Sequence, residues 1–130
     1  MEIVRGLSIK IDGKIMKNIE ELTKKIIAFR DARDWKQFHT PKDSAISLSL
    51  EASEVLEHFQ WKNKEEVEEY IKTNKSDIGE ELADVLFWVL LMSYDLKIDM
   101  FEALEKKILK NEINYPVEKA KGKHTKYDKL

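Results

Sequence analysis

The sequence predicts an all-α fold, and three observations carry the prediction. Only four glycines and two prolines interrupt 130 residues, so turn-forming residues are scarce. The chain is 42% hydrophobic and 37% charged, rich in the Glu, Lys and Leu that favour helices. Apolar residues recur at helical spacing behind residues of the capping type. One domain of four to five helices satisfies all three. At this length it buries a core without disulfides or a structural metal.

Residues 1–17 (MEIVRGLSIKIDGKIMK) read as a short extended or disordered leader, with Asp12-Gly13 as a hairpin-type turn signal. Asn18 and Glu21 form a capping-box pattern. Ile19, Leu22, Ile26 and Phe29 then give the first helix an apolar stripe that runs out near Arg33. Asp34–Thr40 (DWKQFHT) is a short connection of aromatic and polar groups. Thr40 caps the second helix, with Pro41 at its first position and Asp43 three residues on, and the helix runs to about Gln60. Asn63 and Glu66 open a short, highly charged helix (NKEEVEEYIK), and Ser76 caps a longer one ending near Leu96. Asp99 and Glu102 open the last, which stops at Asn114-Tyr115-Pro116 because the residue before a proline avoids helical backbone. The helical domain therefore spans 18–116, with a basic, polar tail over 117–130.

Composition removes several function classes. Cysteine is absent, which excludes thiol catalysis, disulfides and Cys-based zinc sites and fits a reducing compartment. A net charge of −2 provides no global basic field, and no basic stripe with interleaved aromatics is present, so a nucleic acid polymer is not the expected partner. Residues 1–10 lack the apolar core of a signal peptide, and Val85–Met92, the longest apolar run, is far too short to span a bilayer. The expectation is a soluble, cytoplasmic protein without a membrane partner. No Walker lysine motif occurs, which argues against a P-loop enzyme.

Two windows contain no lysine or arginine: Asp43–Trp61 (DSAISLSLEASEVLEHFQW) and Ser76–Leu96 (SDIGEELADVLFWVLLMSYDL). Each carries an acid pair at i, i+3, Glu51 with Glu54 and Glu81 with Asp84. The spacing decides little, because similar pairs occur throughout this acidic chain. The surroundings decide more. Glu65 and Glu66 have Lys62 within reach, and Glu102 has Lys106, as solvated helix acids ordinarily do. The four window acids have no basic residue three or four positions away, and their neighbours include Leu48, Val55, Ile78, Val85 and Trp88. Residues three apart project within roughly 60° of one another, so each pair leaves one helix face. Two like charges ~5 Å apart at an effective dielectric of ~20 repel by roughly 3 kcal/mol, so four converging carboxylates require protons or cations. Two readings stand at this point: acidic helix edges facing water, or a site for Mg²⁺, Mn²⁺ or Ca²⁺, which all-oxygen ligands suit better than zinc. A di-iron bundle requires Glu-x-x-His, and here the i+3 positions hold Glu54 and Asp84.

The segment before the first window, RDWKQFHTPK, sets Trp35, Phe38 and His39 beside the helix of Glu51 and Glu54. Trp61 closes that helix, and Trp88 lies one turn past Asp84. Taken singly, each aromatic residue closes a small core or stacks on a nucleobase.

The blocks RDWKQFHTPK, LSLEASEVLEHFQWK, IGEELADVLFWVLLM and KNEINYPVEKAKGKHTKY, in this order and spacing, resemble the MazG-like all-α nucleotide pyrophosphohydrolases, nearest to their dCTP pyrophosphatase branch. The resemblance covers residues 18–127. It implies that Glu51, Glu54, Glu81 and Asp84 hold Mg²⁺, with Mn²⁺ as a substitute, and serve catalysis. It implies a nucleoside triphosphate substrate contacted by Trp35, Lys36, Gln37, Phe38, His39, Trp61 and Trp88, cleaved to monophosphate and pyrophosphate. It also implies a homodimer or homotetramer. Trp88 stands where family members often have tyrosine. Ile26 stands where dCTP-type members carry a histidine, and it cannot hydrogen-bond a base or sugar. The competing function is a non-catalytic module of the same fold that binds a nucleotide or a partner.

Overall fold

The computed structural model describes residues 19–130, so the leader with its Asp12-Gly13 turn and the Asn18 cap lie outside the described residues. Helices and turns make up everything described, and no strand occurs among those residues. The described residues fall into two compact units, 19–97 and Ile98–Leu130.

In the first unit, α1 covers residues 19–31 and ends in a turn at 32–34. Its buried side chains are Ile27 and Arg30, while Leu22 and Phe29 are 45% and 42% exposed. The inward face is thus rotated from the Ile19/Leu22/Ile26/Phe29 stripe, because Arg30 itself turns inward to meet an acid on another helix. A single 3₁₀ turn, Lys36–Phe38, leads to α2, Pro41–Glu57. The Thr40 side chain accepts a hydrogen bond from the Asp43 backbone N–H at 3.2 Å, and proline occupies the first turn, as expected. The helix ends at Glu57 rather than Gln60. Residues 58–61 turn instead, and Trp61 adopts φ 67°, a left-handed backbone uncommon for so bulky a residue.

The two expected helices after Asn63 form one kinked element, α3, Lys64–Asp95. Asn63 supplies both halves of a capping box with Glu66. The break falls at Asn74 (φ −124°, ψ 18°), where the side-chain amide donates to the Tyr70 carbonyl at 2.9 Å. Ser76 therefore lies inside a helix and caps nothing. An asparagine that bonds the backbone locally interrupts the helix two residues earlier than the sequence suggests. Lys62 also departs from expectation. Its ammonium sits over the Tyr70 ring at 4.3 Å rather than against Glu65 or Glu66.

α2 packs on α3 in antiparallel fashion. Glu51 and Glu54 meet Glu81 and Asp84, while His39, before α2, meets Trp88, nearer the far end of α3. The tight centre of this unit is Ile27, Ser44, Leu90, Leu91 and Ser93. α1 joins it through an edge-on Phe29–Phe87 contact at 6.2 Å and through Arg30, whose Nη1 donates to Asp95 Oδ2 at 2.6 Å. Burial opposes the Arg30 charge. The hydrogen bond and charge of Asp95 outweigh it and raise the guanidinium pKa above its ordinary value.

In the second unit, Asp99 caps α4, Met100–Asn114, by accepting from the Glu102 N–H. Glu102 pairs with Lys106 one turn on, as expected. After Pro116 the tail is partly ordered. It forms α5, Val117–Ala120, and a 3₁₀ turn, Tyr127–Lys129, with Tyr127 edge-on to Tyr115 at 5.8 Å. No described helix is long and apolar enough to cross a membrane.

Candidate functional site

Four carboxylates converge where α2 crosses the middle of α3. Glu51, Glu54, Glu81 and Asp84 each offer one oxygen, and the four oxygens lie within 4.8 Å of one another. The i, i+3 spacing aims each pair off its helix, and the antiparallel packing brings the two pairs face to face. Glu51 and Glu81 form the half-buried inner pair, and Glu54 and Asp84 the exposed outer pair. None of the four makes a salt bridge among the described residues, whose bridges all lie elsewhere.

Two atoms reveal what this arrangement lacks. Glu51 Oε2 and Glu81 Oε2 are buried without a hydrogen-bond donor. A buried carboxylate oxygen with no donor is costly, and here neighbouring negative charge adds to that cost. Burial lifts the Glu51 carboxyl above the ordinary carboxylate range, and Glu54, Asp84 and Glu81 lift it further. Glu81 is raised first by the close approach of Glu54, then by burial and the charges of Glu54 and Asp84, with His58 acting the opposite way. Without a cation, the Glu51 and Glu81 carboxyls hold their protons to higher pH than isolated carboxyls do. The donor set therefore fits a hard divalent cation: all oxygen, formally anionic, close-set and without competing ammonium or guanidinium groups.

His58, the residue just after α2 and one turn past Glu54, is held by its Nδ1 against the Tyr70 hydroxyl at 2.6 Å. The sequence offered the histidine but gave no sign of its tyrosine partner, twelve residues on and across a turn.

The aromatic segment is only partly assembled around this cluster. His39 packs edge-on to Trp88 with ring centroids 5.1 Å apart, and Trp88 meets Phe87 at 5.6 Å. One His39 nitrogen, Nδ1, is buried without a partner. Burial, and then the Arg30 charge, lower the His39 pKa below its ordinary value. Trp35 packs on Phe29 at 5.7 Å, with the Arg33 guanidinium 3.7 Å from the Phe29 ring centroid. Gln37 is engaged locally, its amide donating to the Asp34 carbonyl and carboxylate at 2.9 Å each. Phe38 is 62% exposed. Lys36 and His39 line a cleft of about 550 Å³ whose opposite wall is the end of α3. Trp61 is separate from all of these. It is 92% exposed and lies at the other end of α2, whose 17 residues span about 25 Å.

Comparison with known proteins shows what the chain as a whole is similar to. The MazG-like family model matches residues 46–130. The chain is 31% identical over 114 residues to dCTP pyrophosphatase 1 of Bos taurus, covering 86% of this chain and 68% of that protein. It is 30% identical over 114 residues to dCTP pyrophosphatase 1 of Homo sapiens, covering 86% and 67%. Among solved structures it is similar to a pyrophosphatase from Archaeoglobus fulgidus, with a TM-score of 0.73 and 41% identity over 76% of this chain and 93% of that one.

Proposed function

Since the chain belongs to the MazG-like family and is a nucleotide pyrophosphohydrolase, we propose that it hydrolyses a deoxynucleoside triphosphate of the dCTP type to monophosphate and pyrophosphate, with Mg²⁺ held by Glu51, Glu54, Glu81 and Asp84. The observation that carries this reading is the convergence of four carboxylates with two orphaned, buried oxygens and no salt bridge among the described residues.

A divalent cation bound there supplies positive charge to the phosphates and to the departing pyrophosphate. The chain's own residues set the stage for it. The inner pair, Glu51 and Glu81, is fixed by burial between α2 and α3, and the outer pair, Glu54 and Asp84, opens towards solvent, where a triphosphate arrives. Trp88, one turn from Asp84, and His39 against it provide a flat apolar wall beside the phosphates, suited to a base or sugar. Manganese, with the same preference for oxygen ligands, substitutes for magnesium on this reading.

A homodimer or homotetramer belongs to the same reading. Leu50, Leu56, Leu82 and Leu86 lie on the two acid-bearing helices and are 61%, 62%, 54% and 49% exposed. So much apolar side chain on adjoining helices supports a second copy as its cover. Light scattering on the eluted protein tests the assembly, and a monomer at micromolar concentration refutes it.

Purified protein with Mg²⁺ and a panel of deoxynucleoside triphosphates tests the reaction. Monophosphate and pyrophosphate are the expected products. Diphosphate with orthophosphate refutes the proposed cleavage.

A further inference from the structure

Beyond the acid cluster, the helix pair leads to a second polar locality that the reaction itself does not require. The cleft of about 550 Å³ lies between Lys36, His39 and Pro41 on one side and Tyr94, Asp95 and Lys97 on the other. Its size is that of a small-molecule pocket. Asp95 is the last residue of α3, eleven residues past Asp84, or about 16 Å along the helix, with Trp88 between them. A nucleoside triphosphate extended along the helix pair with its phosphates at the acids runs past Trp88 towards this cleft.

Asp95 is unusually well fixed for a residue at a helix end. Arg30 is 1% exposed at its side chain and donates to Oδ2, while the Asp95 side chain retains 20% exposure. Its other oxygen, Oδ1, receives no hydrogen bond among the described residues. An ionised carboxylate only accepts hydrogen bonds, so this wall of the cleft asks for a donor. Lys36 and Lys97 also line the cleft, and Asp95 is its one acid. A neutral ring carrying an amino group meets it favourably. Ile26, one turn before Arg30 on α1, adds no competing polar group.

We propose that Asp95, held by the buried Arg30, accepts a hydrogen bond from the exocyclic amino group of the substrate's base and so selects cytosine over thymine and uracil nucleotides. The inference rests on the nucleotide-hydrolase reading above. A carboxylate accepting from the cytosine amino group is a recurrent pairing. Thymine and uracil present a carbonyl oxygen at that edge, which sets acceptor against acceptor. Asp95 is a specificity-determining residue in this account and takes no part in bond cleavage.

The test compares kcat/KM for dCTP, dTTP and dUTP, following pyrophosphate, in the wild-type protein and in Asp95→Asn. The asparagine oxygen still accepts from Arg30, while its amide can donate to a carbonyl on the base. Wild type should favour dCTP, and the variant should move the dCTP-to-dTTP ratio towards dTTP by roughly 10- to 100-fold, the effect of one charge-assisted hydrogen bond made or opposed. A ratio measured within one preparation is unaffected by a general loss of activity. Should the variant fold poorly, the wild type alone decides the point. The triphosphate of 2-pyrimidinone deoxyriboside, which lacks only the amino group, should be a similar factor worse than dCTP. An unchanged ratio in the variant, equal use of the three pyrimidines by the wild type, or equal use of the amino-less analogue overturns the inference and leaves the hydrolase reading intact. Failure of every nucleotide to release pyrophosphate overturns the hydrolase reading itself.

Discussion

Two places along α3 draw charge away from water, and they do so in opposite ways. At its far end, buried Arg30 faces Asp95, opposite charges in a direct hydrogen bond at 2.6 Å. At its middle, four carboxylates gather within 4.8 Å with no salt bridge among the described residues and two buried oxygens lacking any donor. The first arrangement balances its own charge. The second leaves its charge unbalanced by any salt bridge among the described residues. A closed ion pair serves to position groups, whereas an open cluster of like charge holds free energy that ligand binding releases.

Removing a carboxylate from the open cluster has the largest expected effect. Asp84→Asn or Glu54→Gln should lower turnover by on the order of 10³-fold or more, given several kcal/mol of charge stabilisation and tenfold per 1.36 kcal/mol. Far-ultraviolet circular dichroism should be unchanged. Near-full activity in either variant would remove that residue from the site. The same change should stabilise the metal-free protein, because it deletes one of several repelling charges. A metal-free Tm raised by a few degrees in Glu51→Gln is the expected sign.

Breaking the closed pair should act the other way, on stability. Asp95→Ala leaves a fully buried guanidinium with only the longer contact of its Nε to Asp31 at 3.4 Å and should cost about 3 kcal/mol in urea unfolding. Arg30→Met strands a carboxylate that water still reaches, and should cost less. If the two variants prove equally destabilised, the asymmetry of burial is not what sets the cost.

Cation binding separates the two regions next. The raised pKa values of Glu51 and Glu81 mean that the native cluster holds protons more tightly than the unfolded chain does. That contribution is fully present below the ordinary carboxylate range and is lost as pH rises through the raised native values. In chelator, Tm should therefore fall as pH climbs from the ordinary carboxylate range towards neutrality. Mg²⁺ at a hundredfold excess over its Kd should restore about 2.7 kcal/mol at neutral pH. Calorimetry at several pH values with and without Mg²⁺ checks this, and a metal-independent profile refutes it. The smallest effect belongs to a feature remote from both regions. Thr40→Ala removes the cap of α2 and should cost about 1 kcal/mol without altering metal affinity.

What the sequence made legible was local. Thr40, Asn63 and Asp99 cap helices where expected, because a cap involves residues three positions apart. The acid windows were visible because missing lysines and arginines are a property of composition. Features that depend on distant partners were not. Arg30 and Asp95 are 65 residues apart, and each alone resembles a solvated charge. The inward rotation of α1 follows from that pair, so the apolar stripe misjudged the buried face. The break in α3 was expected at Ser76, although Asn74 carried the local signal in its capacity to bond the Tyr70 carbonyl. Among the aromatic residues, the structure joins His39 to Trp88 and leaves Trp61 at the opposite end of α2, a distinction that proximity in sequence cannot make.

The break at Asn74 also bears on how the molecule opens. It leaves residues 64–73 as a short, solvated segment with its own capping box, joined to the site-bearing segment by a single non-helical residue. Cooperativity in a helix passes through its ladder of backbone hydrogen bonds, and an interruption in that ladder divides it into separate exchange units. In deuterium exchange, the amides of 64–73 should open and close on their own account, frequently and without disturbing the carboxylates. Those around 81–95 should yield only with the whole of the first unit, and more slowly once a cation ties α2 to α3.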